Sequence, residues 1–308
     1  MGLAKRTVDV ELVRVAAERE AKALLRDDGL HPQTDYAPQD VAGARRALLE
    51  HALPLTETMA PDAYAAAHEV MAALGRNDAI ELFQSEGRGT DNACLVLHGN
   101  PVGVMFLGGH LGTLDRGGLL ALLGHEVGHA IAHYDPNEVW ASQASWNANT
   151  PNKRAYAMAT ELTADRFGLL ACADLESVLR LEMLSVAGGH VSGISLDVTG
   201  YLEQCRAVSE ETLARGDIAL GSTHPEHSIR AYAAWLFSQS DVYASITGEG
   251  SSSRPIAEVE SIVRKLIGLH QKPAPAPAVR RSTGTAPPDL RARFEEHVRQ
   301  SRLRQKSR

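Results

Sequence analysis

The sequence has few of the features that mark secreted or membrane-spanning proteins. It contains only three cysteines, an odd number spread far apart at Cys94, Cys172 and Cys205, so no disulfide framework is predicted. No apolar run reaches the roughly 18 residues that a membrane-spanning helix needs. The N-terminus lacks the apolar core of a signal peptide behind its basic residues. We therefore expect a soluble, cytoplasmic protein without a transmembrane segment.

The chain also lacks the excess of positive charge that is typical of nucleic-acid-binding proteins. Its formal net charge is -7 at pH 7, so no nucleic-acid partner is assigned to the chain as a whole. The exception is Val279–Arg308, which contains nine Lys and Arg residues and three Asp and Glu residues. This tail carries +6 and the remainder -13, and it follows the extended spacer KPAPAPA. The tail is either a solvated flexible segment or a docking segment for an acidic partner, RNA or an anionic surface.

Hydrophobic patterning predicts a mainly helical protein with a small sheet. Helical patterns extend to about Gly75 and resume from Leu114, where Thr113 or Asp115 is the candidate helix cap. Three short β-like runs lie between them, and Asn100 and Pro101 separate the last two, which favours a hairpin. The runs are Ala79–Gln84, Ala93–Gly99 and Val102–Gly109. The predicted fold class is α+β with a small antiparallel or mixed sheet.

The stretch LLGHEVGHAIAHY has a histidine at every fourth residue, namely His125, His129 and His133, and Glu126 follows the first. Residues four apart lie on one face of a helix, so His125 and His129 can point at the same position. Imidazole is a common ligand of Zn²⁺, and two histidines leave room for a third ligand and a water. The H-E-x-x-H spacing therefore indicates a metal site, and the alternative is the polar face of an ordinary helix.

The third ligand is expected to be a distant glutamate. A metzincin would have a third histidine six residues after the second, but that position is Asp135. His133 lies at the wrong angle, so we expect it beside the ligands or at the surface, and its replacement should not lower the zinc content. The candidate ligand is Glu161 in ATELTADRFG, and Asp165 one turn later could accept the free N–H of a ligand histidine. Apolar neighbours predict partial burial of this helix, and buried carboxylates need a cation or donors.

These segments together resemble a known family. HEVGH, then ELTADRFGL, then GSTHPEHSIR are similar to the soluble catalytic domain of the CAAX-prenyl-protease and heat-shock-protease family of gluzincin metallopeptidases. The resemblance covers about Asp78 to Ala234, and Asn92-Ala93 before the hairpin also matches the family pattern. Many members of that family have membrane helices that form a chamber for prenylated substrates. This chain lacks them, so processing of prenylated substrates is not expected.

The resemblance implies a zincin-like fold and zinc metalloendopeptidase activity with one Zn²⁺ per chain. It assigns His125, His129 and Glu161 as metal ligands, Glu126 as catalytic base and Asp165 as the residue that orients a ligand histidine. His224 of the THP segment would lie across the cleft as a gate or transition-state donor. The alternative is that His224 and Pro225 only begin a helix. Arg230 is a weaker candidate for the same neighbourhood, or else a surface ion-pair partner.

Four regions follow from the patterning and the resemblance. They are an N-terminal helical accessory region at 1–77, a catalytic domain at 78–240, a helical extension at 241–271, and a Pro/Ala linker with the basic tail at 272–308. The implied reaction is peptide-bond hydrolysis by metal-activated water, with Glu126 as general base. We expect the polypeptide substrate to lie extended along an edge strand, predicted at Val102–Gly108. The alternative function is a latent or non-proteolytic zinc-binding scaffold that acts through the tail 279–308.

Overall fold

The computed structural model describes residues 8–27, 40–86, 92–134, 151–188, 195–215, 226–248 and 254–269. All of them belong to one compact unit, Met1–His270. The predictions for His224 and for the basic tail 279–308 lie outside the described residues. The predicted domain boundaries stay predictions.

The described residues form mostly helices, with one small sheet. The helices are α1 (Val10–Val13), α2 (Ala16–Asp27), α3 (Val41–Leu48), α4 (Pro61–Ala73), α5 (His110–Thr113), α6 (Arg116–His133), α7 (Pro151–Cys172), α8 (Leu175–Val186), α9 (Val198–Arg215), α10 (His227–Ser238), α11 (Asp241–Thr247) and α12 (Ile256–Leu266). The strands are β1 (Leu53–Pro54), β2 (Ile80–Ser85), β3 (Asn92–His98) and β4 (Val102–Leu107). The α+β class and the three predicted strands are confirmed, whereas β1 was not predicted.

The sheet is mixed, with the strand order β1-β2-β4-β3. The predicted hairpin is confirmed, because β3 and β4 pair antiparallel across the turn at Asn100 and Pro101. β4 also pairs in parallel with β2, in a register that places Ile80 beside Val102. The prediction that Val102–Gly108 forms an edge strand is therefore wrong. Within the described sheet β4 has a neighbour on each side, and β1 and β3 are the two outer strands.

Helices α6 and α7 cross in close contact at the centre of the fold. α6 begins after Asp115, whose carboxylate accepts a hydrogen bond from the Gly118 N–H at 2.8 Å, as predicted for one of the two candidate caps. A Cβ on Gly168 of α7 would lie 2.7 Å from the Ala121 carbonyl oxygen of α6. Glycine is therefore needed at this crossing, because any side chain would push the two helix backbones apart.

The remaining elements surround this helix pair. α4 and the sheet contact α6, α8 contacts both α6 and α7, and α10 contacts α7. The N-terminal helices pack against α7, where the Val15 N–H donates to the Thr163 hydroxyl at 3.1 Å and Arg166 donates to the Val13 carbonyl at 3.1 Å. None of the helices in the described part of the chain combines the length and apolarity needed to cross a membrane.

Candidate metal centre

Three predicted ligand residues converge between α6 and α7. The Nε2 atoms of His125 and His129 are 3.1 Å apart. Glu161 places Oε2 3.5 Å from His125 Nε2 and Oε1 3.7 Å from His129 Nε2. A tetrahedral ion with bonds of about 2.0–2.1 Å would hold its ligand atoms roughly 3.3 Å apart. The three groups therefore fit one divalent metal ion.

Asp165 orients the first of these histidines. Its Oδ1 atom lies 2.8 Å from His125 Nδ1. A carboxylate accepts hydrogen bonds, so the Nδ1–H donates and Nε2 is the ring nitrogen that faces His129 and Glu161. The carboxylate is held in turn by Arg230 of α10, which donates through Nε to Oδ2 at 2.9 Å and through Nη2 to Oδ1 at 2.5 Å. This arrangement is the one that a nitrogen ligand of a metal requires.

Arg230 is not a surface ion-pair partner, because its side chain is only 15% exposed and points into the site. Its Nη2 also lies 3.3 Å from Oε1 of Glu182 on α8, a side chain that is 3% exposed. His227 Nδ1 lies 2.6 Å from the other oxygen of Glu182. Glu182 was not predicted from the sequence. The only signal for it was an acidic residue within the apolar pattern of LESVLRLEMLSV.

His133 lies next to His129, the second candidate ligand histidine. Its Nδ1 atom is 3.0 Å from Nδ1 of His129, and its Nε2 atom is 3.3 Å from Oε2 of Glu18 on α2. The His133 side chain is 9% exposed. The position beside a ligand agrees with one of the two expectations for His133, and the surface alternative is wrong. Glu18 was missed by the sequence analysis, since no local spacing connects it with the motif.

The site has an excess of negative charge. Among the residues that the structure describes here, four buried acidic side chains lie around one permanently charged cation, Arg230. The carboxylates are Glu126, Glu161, Asp165 and Glu182. Buried charges without partners are costly, so this group of side chains favours the presence of a further cation.

The pKa values of the site respond to that imbalance. Burial lowers the pKa of His125, but hydrogen bonds to Asp165 and Glu161 outweigh burial and raise it to about 10. Burial lowers the pKa of His129 to about 3, which keeps that imidazole neutral. Burial also raises the pKa of Glu126, and the nearby Glu161 carboxylate adds to the rise. The site therefore attracts positive charge and contains a carboxyl group that accepts a proton readily.

These residues line a cleft of about 450 Å³. β3 forms one wall through Asn92 to Leu95, and α8 and α10 contribute Glu182 and Arg230. Glu126 also lines the cleft, and a backbone hydrogen bond from Leu95 reaches its carboxylate. The base candidate is therefore next to both the ligand histidines and the outer strand of the sheet.

The structure thus brings together five of the six residues predicted for the site, and the sixth, His224, lies outside the described residues. Comparisons with protein-family models, curated proteins and solved structures gave no match. The zincin-like assignment and membership of the gluzincin family stay predictions that depend on the sequence motifs.

Proposed function

We propose that this chain is a zinc-dependent endopeptidase. The observation that carries the proposal is the convergence of His125, His129 and Glu161 within bonding reach of one ion, beside Glu126 and in an accessible cleft. Two imidazoles and one carboxylate are the ligand set of several zinc peptidases, and they leave a position for water. The H-E-x-x-H spacing and the resemblance to gluzincins favour zinc over other divalent ions.

Bound zinc would supply a Lewis acid that polarises a carbonyl group and makes water acidic enough to react near neutral pH. Glu126 would take the proton from the attacking water and return it to the leaving amine. Its burial supports this role, because a raised pKa lets the carboxyl group carry the proton between the two steps. Arg230 lines the cleft and holds Asp165, which keeps the His125 ring in position.

The substrate would be an extended polypeptide that pairs with β3. This strand lies at the end of the strand order beside β4, and it contributes Asn92, Ala93, Cys94 and Leu95 to the lining of the cleft. Main-chain hydrogen bonds to an outer strand provide affinity that does not depend on the substrate side chains. This proposal replaces the predicted substrate strand at Val102–Gly108, which lies inside the sheet.

The replacement Glu126→Gln tests the proposal, with Glu176→Gln on the exposed surface of α8 as the matched control. We expect the purified wild type to contain one zinc ion per chain and to hydrolyse denatured casein. Glu126→Gln should retain zinc and lose at least about 10²-fold in activity, and Glu176→Gln should behave as the wild type.

The outcomes separate the candidate functions. Near-normal hydrolysis by Glu126→Gln would remove the base assignment. A wild type that binds zinc without hydrolysing any denatured protein would favour the scaffold alternative. A wild type that binds no divalent ion would refute the proposal as a whole.

A further inference from the structure

A chain of hydrogen bonds connects the metal-ligand candidate His129 with the N-terminal helix α2. His129 Nδ1 lies 3.0 Å from His133 Nδ1, and His133 Nε2 lies 3.3 Å from Glu18 Oε2. Glu18 is 1% exposed. It lies far from the H-E-x-x-H motif in sequence, and the endopeptidase mechanism gives it no role.

The chemistry of Glu18 sets the direction of this chain. A carboxylate accepts hydrogen bonds, so Nε2–H of His133 must donate to it. Nδ1 of a neutral His133 is then the acceptor, and Nδ1–H of His129 donates to it. A proton on Nδ1 leaves the Nε2 lone pair of His129 directed towards His125 and Glu161. That tautomer is the one that binds a metal ion through Nε2.

Glu18 is itself held firmly as an acceptor. Arg14 donates to its Oε1, and the Thr163 hydroxyl donates to its Oε2 at 2.7 Å. The Thr163 hydroxyl also accepts a hydrogen bond from the Val15 N–H, which leaves its proton available for Glu18.

From this geometry we infer that Glu18 is a positioning residue of the metal centre, which acts through His133 to fix the tautomer and ring orientation of His129. The inference rests on the proposed metal site. Each ligand histidine then has its own carboxylate partner, Asp165 for His125 by direct contact and Glu18 for His129 through one imidazole. The N-terminal helix α2 is thereby part of the metal centre.

Zinc affinity of the full chain, measured by competition with a chromogenic chelator, tests this inference. The variants are Glu18→Gln, His133→Phe and the double variant. The control is Glu20→Gln on the same helix, whose carboxylate pairs with Arg264 away from the site. Glu18→Gln and His133→Phe should each weaken zinc binding about tenfold or more, whereas Glu20→Gln should leave it unchanged. His133→Phe is thus expected to matter, in contrast to the expectation from motif spacing alone.

The double variant distinguishes positioning from a general effect on folding. If Glu18 acts through His133, the double variant should bind zinc about as well as His133→Phe alone, because the second change removes nothing further. The visible spectrum of bound Co²⁺ should change in Glu18→Gln and remain as in wild type in Glu20→Gln. Urea unfolding of the metal-free variants shows whether each one is folded.

Two results would overturn the inference. The first is a zinc affinity of Glu18→Gln equal to that of Glu20→Gln. The second is a loss of zinc affinity on replacing Glu18 by Gln that is as large in the His133→Phe background as in the wild type. If Glu18→Gln does not fold, the test is the zinc affinity of His133→Phe, because this variant leaves Glu18 paired with Arg14 and Thr163. An unchanged zinc affinity of His133→Phe then refutes the inference. Absence of zinc binding in the wild type instead refutes the proposed function, and the inference fails with it.

Discussion

The glycine at the crossing of α6 and α7 provides a sensitive test of how the candidate metal centre is built. In an open helical site, replacing Gly by Ala stabilises a protein by up to about 1 kcal/mol, because glycine loses more backbone freedom on folding. Gly168 is not an open site. An added Cβ would meet the Ala121 carbonyl oxygen at 2.7 Å, about 0.7 Å short of the 3.4 Å at which ordinary contact begins. Backbone atoms cannot rotate away as a flexible side chain does.

The displacement needed for Gly168→Ala is larger than a metal site tolerates. Ala121 lies one helical turn before His125, and Gly168 follows Asp165 by about one turn, so separation of α6 and α7 there moves the ligands apart. Metal–ligand distances vary by only about 0.2 Å. Forcing an extra carbon into a filled interior costs about 1–3 kcal/mol, which exceeds the helix-propensity gain. The expected net loss is up to about 2 kcal/mol of unfolding free energy, with weaker zinc binding.

Urea unfolding of the metal-free protein and zinc competition measure the two effects. The matched control is Gly112→Ala, since a Cβ at Gly112 has no atom within 4 Å. The two replacements are chemically identical, and we expect opposite signs in stability, with a zinc affinity that changes only in Gly168→Ala. If Gly168→Ala is as stable as the wild type and binds zinc equally well, the close contact of α6 and α7 at Gly168 does not set the distances between the ligand atoms.

Two further predictions concern the charges of the site. Arg230→Met should lower the unfolding free energy by about 3–5 kcal/mol, because it removes the permanent cation that two buried carboxylates, Asp165 and Glu182, share. Arg180→Met, which breaks an exposed ion pair on α8, should cost less than about 1 kcal/mol, and equal losses would contradict this reasoning. The free energy of unfolding of the metal-free protein should fall as the pH rises from about 6.5 to about 10. Because folding raises the pKa of His125, protonated His125 contributes its full stabilisation below the unfolded-state pKa. That contribution is lost as the pH rises through the folded-state pKa. Urea unfolding across that range should show the decline in wild type and a weaker one in Asp165→Asn; a flat profile in wild type would count against the assigned hydrogen bonds.

Local patterns were sufficient to predict three of the four described strands but neither β1 nor the strand order. The short β-like runs between Gly75 and Leu114 predicted β2, β3 and β4, and the turn residues Asn100 and Pro101 between the last two predicted their hairpin. The parallel pairing of Ile80 with Val102 is a contact between distant parts of the chain. Nothing in either segment specifies it, so the inner strand was mistaken for an edge strand.

The same distinction applies to the site. His125 and His129 were predictable because helical spacing alone places them together, and Glu161 and Asp165 because two acids in an apolar helix need a cation. The two acidic residues that were not predicted, Glu18 and Glu182, lie on separate helices, α2 and α8. Each helix contributes one acidic residue that no local spacing connects with the H-E-x-x-H motif, so only tertiary packing reveals its role.

The polar groups around the candidate ion site come from α2, α6, α7, α8 and α10, so five helices must assemble before they meet. An unfolded chain does not hold these groups together, so an ion bound there would stabilise the native state. At a free ion concentration one hundred times the dissociation constant, this linkage adds about 2.7 kcal/mol to the free energy of unfolding. Chelation would therefore weaken the entire tertiary structure, and ion uptake during refolding would report completion of the fold.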